Sequence, residues 1–186
     1  MTDEQLMLDA RRGAAGAFEL LFERYRAPIW RFFRRRTPDA ARAEELAQDT
    51  FVVLLEAIGR YEPRASVRAY LFAIAYNVLH ADSRKAGHRR TVSLEAAADR
   101  FDDRSLGDAG PARDPDAGLW VREALTRLEH NDREILMLRE YDELSYQEIA
   151  EVKQLPLNTV RSKLFRARMA LKAALVGDHA SERLRG

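Results

Sequence analysis

The stretch SYQEIAEVKQLPLNTVRSKLFRARMALKAAL, residues 145–175, decides the fold of the second half of the chain. Ser145 followed by Glu148 is a capping-box pattern, which predicts the start of a short helix. Pro156 favours the start of a second helix, because the first turn does not need its missing amide hydrogen, and Gln154 lies in the brief turn before it. A short helix, a tight turn and a longer helix make a helix-turn-helix. The longer helix is predicted to bury an apolar stripe at helical spacing, formed by Val160, Leu164, Ala167, Leu171 and Leu175.

Charge is unevenly distributed over this region, with the basic end on the longer helix. Residues 153–172 hold six basic side chains and no acid, whereas residues 123–151 hold nine acids and three Arg. Such a basic patch is typical of nucleic-acid binding, although the solvated face of an amphipathic helix can have the same composition. In a helix-turn-helix, the first turns of the longer helix reach base edges in the major groove. The side chains that lie there, off the buried stripe, are Arg161, Ser162, Phe165 and Arg166.

The composition changes upstream of this region. Residues 91–117 lack helical periodicity and contain Gly and Pro, and residues 94–118 hold seven acids against three Arg, a net charge of −4. These features are typical of a flexible linker. We therefore predict an all-α protein of two small helical domains, 1–90 and 118–176, joined by a flexible acidic linker at 91–117 and ending in a flexible tail at 177–186.

The first domain contains a helix, predicted over about residues 40–61, that has two different faces. Its core stripe is predicted at Leu46, Thr50, Val53, Leu54, Ala57, Ile58 and Tyr61. A second face, called the acidic face below, combines acidic and amide groups with an apolar rim and consists of Glu45, Gln48, Asp49, Val52 and Leu55. This surface suits docking onto a basic helical partner, while an ordinary solvated face remains the alternative.

The preceding helix, predicted over about residues 16–35, is basic in its later part. It carries six Arg and no acid between Arg24 and Arg36. Contact with a polyanion and simple solvation are both consistent with this pattern. The apolar face of this helix is predicted to bury Phe18, Leu21, Phe22, Tyr25, Ile29 and Phe32 or Phe33.

A proline separates the 40–61 helix from the next one. Pro63 disfavours helical geometry at the residue before it, and Ser66 can cap the following helix, which is predicted to end near Lys85. Its buried stripe is predicted at Val67, Leu71, Ile74, Val78 and Ala81, and another face carries Tyr70, Asn77 and Arg84. Aromatic, amide and basic side chains together can bind unpaired nucleic acid, because rings stack on bases and cations follow phosphates. Core packing is the alternative for Tyr70.

Composition excludes several classes of protein. The 186 residues are 46% hydrophobic and 33% charged, with 31 basic and 30 acidic side chains, so the chain can form a core but cannot coat nucleic acid through overall charge. Without Cys there are no disulfides and no thiolate metal sites. The four His lack ligand spacing and no glycine-rich phosphate loop occurs, so we predict no enzyme activity, no cofactor and no metal. With no signal peptide and no membrane span, we expect a cytoplasmic protein.

Two long motifs, in order along the chain, resemble the sigma-70 family. RAEELAQDTFVVLLEAIGRYEP (residues 42–63) and ASVRAYLFAIAYNVLHADSRKAGHRR (residues 65–90) resemble region 2, and residues 124–175 resemble region 4. The chain leaves no room for a region 3 domain between them, which is the layout of the extracytoplasmic-function (ECF, group IV) sigma factors. The resemblance implies a sigma factor that directs promoter-specific transcription initiation and aids promoter melting, with core RNA polymerase, promoter DNA and an anti-sigma factor as partners.

The resemblance also implies roles for individual residues. The acidic face matches positions that bind the β′ clamp helices of core polymerase, and region 4 is expected to contact the β flap. The positions that match capture of the −10 element are Arg60, Tyr61, Arg64, Ser66, Tyr70, Asn77 and Arg84. The positions that match reading of the −35 element, called the recognition face below, are Asn158, Thr159, Arg161, Ser162, Lys163, Phe165 and Arg166.

The chain departs from the family pattern in the turn of the helix-turn-helix. Gln154 and Asn158 stand where Gly is frequent, and Lys153 stands where an apolar residue is usual. Asn tolerates left-handed backbone geometry better than Gln does, so a less tightly packed turn is expected. Two other functions remain open: a sigma-like decoy that sequesters an anti-sigma factor, and a dimeric helix-turn-helix repressor that binds DNA without polymerase.

Overall fold

The computed structural model describes residues 1–91, 121 and 123–183, with side chains at 1–85, 121 and 123–176. Side-chain caps begin some of its helices, among them Thr2 before the first and Asp39 before the third. The helices are α1 (Asp3–Arg11), α2 (Ala17–Arg34), α3 (Ala40–Ala57), α4 (Val67–Thr91), α5 (His130–Glu140), α6 (Tyr146–Lys153) and α7 (Leu157–Arg183), with a 3₁₀ turn at Ile58–Arg60. Residues 121 and 123–126 are also helical, and no strand occurs in the described part of the chain. The all-α prediction is confirmed. The predicted linker lies outside the described residues from position 92 onward.

The described helices form two units: the first contains α1 to α4, and the second is built on α5, α7 and the part of α6 before Glu151. In the first unit, α2 packs on α3, α3 on α4, and α1 on both α2 and α4. Its core centres on aromatic rings that are almost fully buried. The ring of Phe32 lies edge-on to Phe33 at 5.1 Å and to Phe72 at 5.8 Å between centroids. Edge-to-face pairs of this kind add to the stabilisation from apolar burial.

The core stripe of α3 is rotated slightly from the predicted one. Val53 was expected in the core but is 38% exposed, and Phe51 is buried in its place, edge-on to Phe22 at 4.8 Å. The buried positions form the rows 43–47–51 and 46–50–54, so Val53 lies at the edge of the stripe. Phe22, whose burial was also expected, stays partly exposed beside Phe51.

Between α3 and α4, the predicted cap at Ser66 is confirmed, whereas the α-helix before it ends earlier than predicted. The α-helix ends at Ala57 and the chain tightens into the 3₁₀ turn before Pro63. Ser66 caps α4, because its hydroxyl oxygen accepts a hydrogen bond from the Ala69 amide at 3.0 Å. The helix α4 then continues to Thr91, past the predicted end, and its predicted stripe residue Val78 is half-buried.

In the second unit, the capping box predicted from Ser145 and Glu148 is present in both directions. The Ser145 amide donates to Glu148 Oε2 at 2.8 Å, and the Glu148 amide donates to Ser145 Oγ at 3.2 Å. The two bonds satisfy amide groups that the first turn of α6 leaves without helical partners. The predicted stripe of α7 is confirmed where it begins, since Val160, Leu164 and Ala167 are fully buried.

The turn between α6 and α7 holds Gln154 in left-handed geometry, with φ of 52°. The next amide, from Leu155, donates to the Ala150 carbonyl at 2.9 Å, which is the closing bond of a Schellman C-cap. For a residue with a side chain, left-handed backbone geometry costs on the order of 1 kcal/mol of stability, because the Cβ atom comes too close to the following carbonyl oxygen. Asn158, by contrast, lies within α7 and needs no left-handed geometry. The departure from Gly therefore affects the turn at Gln154 alone.

Candidate functional surfaces

All five residues of the acidic face on α3 are exposed. Apart from the adjacent pair Gln48 and Asp49, they follow one another at intervals of three residues, opposite the buried row that includes Leu46 and Leu54. Val52 and Leu55 are each 55% exposed, which is unusual for aliphatic side chains in a helix that packs on two neighbours. An apolar rim beside carboxylates is the composition of a protein-docking surface.

Two polar side chains of the acidic face already form hydrogen bonds with other side chains of α3. Glu45 accepts a hydrogen bond from Arg42, and Gln48 donates to Glu44 Oε1 at 3.3 Å. No hydrogen bond or ion pair joins Asp49 to another residue in the described part of the chain. Asp49 therefore presents an exposed carboxylate without a competing partner, in the middle of the face.

A compact loop, residues 60–66, links the acidic helix to α4. Arg64 is exposed and pairs with Glu62 at 2.6 Å, and its amide donates to the Glu62 carbonyl at 2.8 Å. Arg11 of α1 donates to the Tyr61 carbonyl at 2.8 Å and so fastens the loop to the bundle. The sequence carries no signal for this role of Arg11, because no local pattern marks a contact between residues 50 positions apart.

Tyr61 occupies the core rather than the surface of this loop. It is 1% exposed, as its place in the predicted core stripe requires, and its ring lies 5.3 Å from the ring of Tyr70 at an angle of 63°. Tyr70 is half-buried, with one side available to solvent. Of the two tyrosines predicted to contact DNA, the structure thus leaves Tyr70 accessible and places Tyr61 beneath it as a support.

The hydroxyl group of Tyr61 is buried and has no hydrogen-bond partner among the described residues. Burial raises the pKa of this hydroxyl, with a smaller contribution from the nearby Glu4 carboxylate. An unsatisfied buried polar group costs about 1–3 kcal/mol, because it loses hydrogen bonds to water and gains none in the protein.

Tyr61→Phe is therefore expected to raise the free energy of unfolding of the first unit by about 1 kcal/mol. Urea unfolding followed by circular dichroism measures the change. Tyr70→Phe is the matched control, and we expect it to leave stability unchanged because Tyr70 is half-buried. A loss of stability in Tyr61→Phe would mean that the hydroxyl has a partner in solution.

The face of α4 predicted to carry DNA contacts is continuous. Tyr70, Asn77 and Arg84 are seven residues apart, so they lie above one another on the helix, and Asn77 and Arg84 are exposed. Tyr76 lies beside this row and packs against His80 at 4.2 Å between ring centroids. Arg60 and Arg64 lie in the segment just before the N-terminus of α4. Together with the row they supply an aromatic ring, an amide and cations.

On α7, the recognition face divides into exposed and engaged side chains. Phe165 is 65% exposed, and Arg161 and Arg166 are exposed beside it. Arg161 donates to Asn158 Oδ1 at 3.2 Å, which orients its guanidinium along the face. The side chains of Thr159 and Lys163 are half-buried, while Ser162 is exposed but donates back to the Thr159 carbonyl at 3.0 Å.

Two of the basic side chains on α7 hold the second unit together. Lys163 lies 3.9 Å from Asp132 of α5. Arg168 pairs with Glu140 of α5 at 2.7 Å and donates to the Tyr146 hydroxyl of α6 at 3.1 Å. These two contacts, with Glu140 first, raise the pKa of Arg168. Counting charges in the sequence therefore overstated the basic surface, and the exposed cations of the first turns are Arg161 and Arg166.

Arg24 and Arg26 of α2, and Arg36 just after its C-terminal end, have partners within the protein. Arg24 pairs with Asp3 of α1, and Arg26 pairs with Glu23 at 3.0 Å. Arg36 donates to the Phe32 carbonyl and lies over the Phe32 ring at 3.9 Å. Cations near a helix C-terminus are favoured by its dipole. These contacts favour a structural role for these three arginines over the polyanion contact that the sequence left open.

Two further features are absent from the described residues. None of their helices combines the length and apolar character needed to cross a bilayer. No three metal-ligating side chains lie together in this part of the chain.

Both units match known families, in the order of the chain. Residues 21–89 match Sigma-70 region 2, and residues 118–171 match Sigma-70, region 4. The first match covers most of α2, all of α3 and nearly all of α4, and the second contains α5, α6 and the recognition face.

Relatives and solved structures match most of the chain. The chain is 33% identical over 180 residues to the RNA polymerase sigma-H factor of Pseudomonas aeruginosa, covering 93% of each. It is 33% identical over 168 residues to the ECF RNA polymerase sigma factor SigC of Mycobacterium tuberculosis, covering 90% of this chain and 88% of that protein. Sigma factor RpoE of Bartonella quintana, solved in complex with the anti-sigma factor NepR, has a similar fold, with TM-score 0.66 and 23% identity over 87% of this chain and 98% of that one.

Proposed function

This chain belongs to the sigma-70 family, in its extracytoplasmic-function group, and from that membership we propose how its surfaces divide the work of promoter recognition. A sigma factor binds core RNA polymerase and directs initiation at chosen promoters. The observation that carries the proposal is that region 2 and region 4 both match, in order, and that each contains an exposed surface of the required chemistry. We assign no bond-making step to this chain and place its action in the cytoplasm, with the polymerase.

The acidic face of α3 is the proposed docking site for the β′ clamp helices of core polymerase. Asp49 and Glu45 offer carboxylates to a basic helix, and Val52 and Leu55 offer apolar area beside them. Complementary charge steers association and sets the register, while the apolar rim contributes binding energy as it is buried. A contact between region 4 and the β flap completes the attachment.

The 60–66 loop and the adjoining face of α4 are the proposed site of −10 capture. Stacking on Tyr70 is available only to an unpaired base, so binding there favours melted over paired DNA. Tyr61 supports the Tyr70 ring from below, and Arg64, Asn77 and Arg84 follow the strand with polar and cationic groups. Ser66 holds the start of α4 through its cap.

The recognition face of α7 is the proposed reader of the −35 element in the major groove. Arg166 is exposed in the third turn of α7, and no ion pair or hydrogen bond joins its side chain to another described residue. Its guanidinium can therefore donate two hydrogen bonds to a guanine edge. Phe165 beside it offers apolar contact, which suits a thymine methyl group.

Arg166→Ala is expected to weaken binding to −35 DNA and to relax its base preference, since a bidentate arginine contributes about 1–3 kcal/mol of discrimination. Affinity of the holoenzyme for promoters with single −35 substitutions measures both effects. Lys172→Ala, a change of another exposed cation on α7, is the control and should lower affinity for all sequences alike. If Arg166→Ala behaved like the control, Arg166 would be a phosphate contact.

Transcription by purified core polymerase, with and without this protein, tests the function as a whole. We expect new transcripts whose start sites share one −35 and −10 pair of motifs, found by sequencing the RNA 5′ ends. DNA binding by the protein alone, on a palindromic site and without polymerase, would favour the dimeric repressor instead. Binding of polymerase with no start-site selection would contradict the proposal.

We further propose that an anti-sigma factor controls this protein. The alternative is a sigma factor that is free and constitutively active. The similarly folded RpoE was solved with its anti-sigma factor. An inhibitor has to compete with polymerase for the acidic face or with DNA for the recognition face. Both faces carry exposed apolar side chains, Leu55 on the first and Phe165 on the second, that a protein partner could cover. A decoy role needs no exposed Arg166 or Tyr70, so these residues favour the active factor.

A further inference from the structure

Arg42, in the first turn of α3, contacts two carboxylates that belong to different helices. One terminal nitrogen of its guanidinium donates to Glu45 of the acidic face, and the other donates to Asp82 of α4, 40 residues away. Both contacts, with Asp82 as the larger cause, raise the pKa of Arg42. The sequence pattern assigned no role to either Arg42 or Asp82.

The arrangement makes Arg42 a competitor of any basic partner that approaches Glu45. The Glu45 side chain is 61% exposed and partly neutralised by Arg42, whose own side chain is 40% exposed. Asp82 is less exposed and holds the second terminal nitrogen on the side of α4. A cation from a partner therefore gains more from Glu45 when Arg42 is held by Asp82 than when Arg42 is bound to Glu45 alone.

We propose that Arg42 is a positioning residue that links the polymerase-docking face of α3 to the DNA-binding helix α4, with Asp82 sharing its guanidinium so that Glu45 is only partly neutralised and stays available to the polymerase. The proposal rests on the proposed docking of the acidic face. It gives Asp82, which lies outside that face, an effect on polymerase affinity.

Two substitutions should change that affinity in opposite directions. Arg42→Gln removes the competitor, and we expect affinity for core polymerase to rise about two- to fivefold, as for other exposed ion pairs. Asp82→Asn leaves Arg42 on Glu45 alone, and affinity should fall by a similar factor. Fluorescence titration of the full-length protein with core polymerase measures both, and the differences should shrink in high salt, where exposed charges are screened.

The double variant Arg42→Gln with Asp82→Asn separates a contact from a general charge effect. We expect Asp82→Asn to have no effect once Arg42 is absent, whereas a long-range charge effect would be additive. Arg26→Gln, which breaks an ion pair within α2, is the control and should leave affinity unchanged. Thermal unfolding of every variant detects a purely structural role. In that case the melting temperatures of Arg42→Gln and Asp82→Asn would shift in the same direction.

The outcomes also distinguish this inference from the proposed function. Equal losses of affinity in both single variants, or additive effects in the double variant, would overturn the role of Arg42. If Asp49→Arg bound polymerase normally, the docking face itself would be wrong. If Asp49→Arg failed to bind while the cycle showed no coupling, only the inference about Arg42 would fall.

Discussion

Asp49→Arg is expected to abolish binding to core polymerase, and with it transcription, while leaving the fold intact. Asp49 is exposed, lies opposite the buried stripe of α3 and has no partner among the described residues, so the free energy of unfolding should change by no more than about 0.5 kcal/mol. A reversed charge in the centre of a surface that meets a basic helix costs several kcal/mol of binding. Co-purification with core polymerase and thermal unfolding measure the two quantities.

A second charge reversal shows whether the position matters. Glu19→Arg changes an exposed acid on α2, outside the acidic face, and should leave polymerase binding close to that of the unmodified protein. Equal losses in both variants would indicate that overall charge, rather than the acidic face, controls association. Normal binding by Asp49→Arg would remove the acidic face from the proposed interface.

The double variant Arg64→Ala, Tyr70→Ala is expected to slow open-complex formation by about five- to a hundredfold without affecting polymerase binding. The Arg64 side chain is 85% exposed, and Tyr70 presents one side of its ring above Tyr61. Stacking contributes about 1–3 kcal/mol per base, and it is available only after the duplex opens. Permanganate footprinting of the holoenzyme on a paired promoter measures the melted fraction over time.

A promoter that is already mismatched across the −10 segment should partly rescue this variant, because the cost of unpairing is then absent. Arg26→Ala, a change at an exposed arginine of α2, is a control that should melt the paired promoter normally. If the double variant were as active as the unmodified protein on paired DNA, Arg64 and Tyr70 would have no part in capture.

Much of the fold was predictable because the relevant groups are neighbours in the chain. Ser145 and Glu148 satisfy each other's amides across one helical turn, and Ser66 caps α4 in the same local way. Helical periodicity alone placed the acidic face opposite the core, since side chains three and four residues apart share one side of a helix. The same reasoning put Arg161 and Phe165 on the exposed side of α7.

Other features depended on contacts between residues that are distant from each other in the sequence. Periodicity could not tell which of Val53 and Phe51 faces α2, because both lie near the edge of the stripe and the ring of Phe22 decides between them. Counting basic residues on α7 could not show that Arg168 is held by Glu140, 28 positions earlier.

The sequence by itself determined the all-α fold class, the caps at Ser66 and Ser145, and the family. Only the tertiary structure decided that Tyr61 supports Tyr70 from the core, that Arg11 fastens the loop beneath them, and that Arg42 is shared between α3 and α4. The physical reason is the range of the interactions. Caps and periodic faces arise within one or two turns of the chain, whereas Arg11 and Arg42 meet partners 50 and 40 residues away, which come together only when the helices pack.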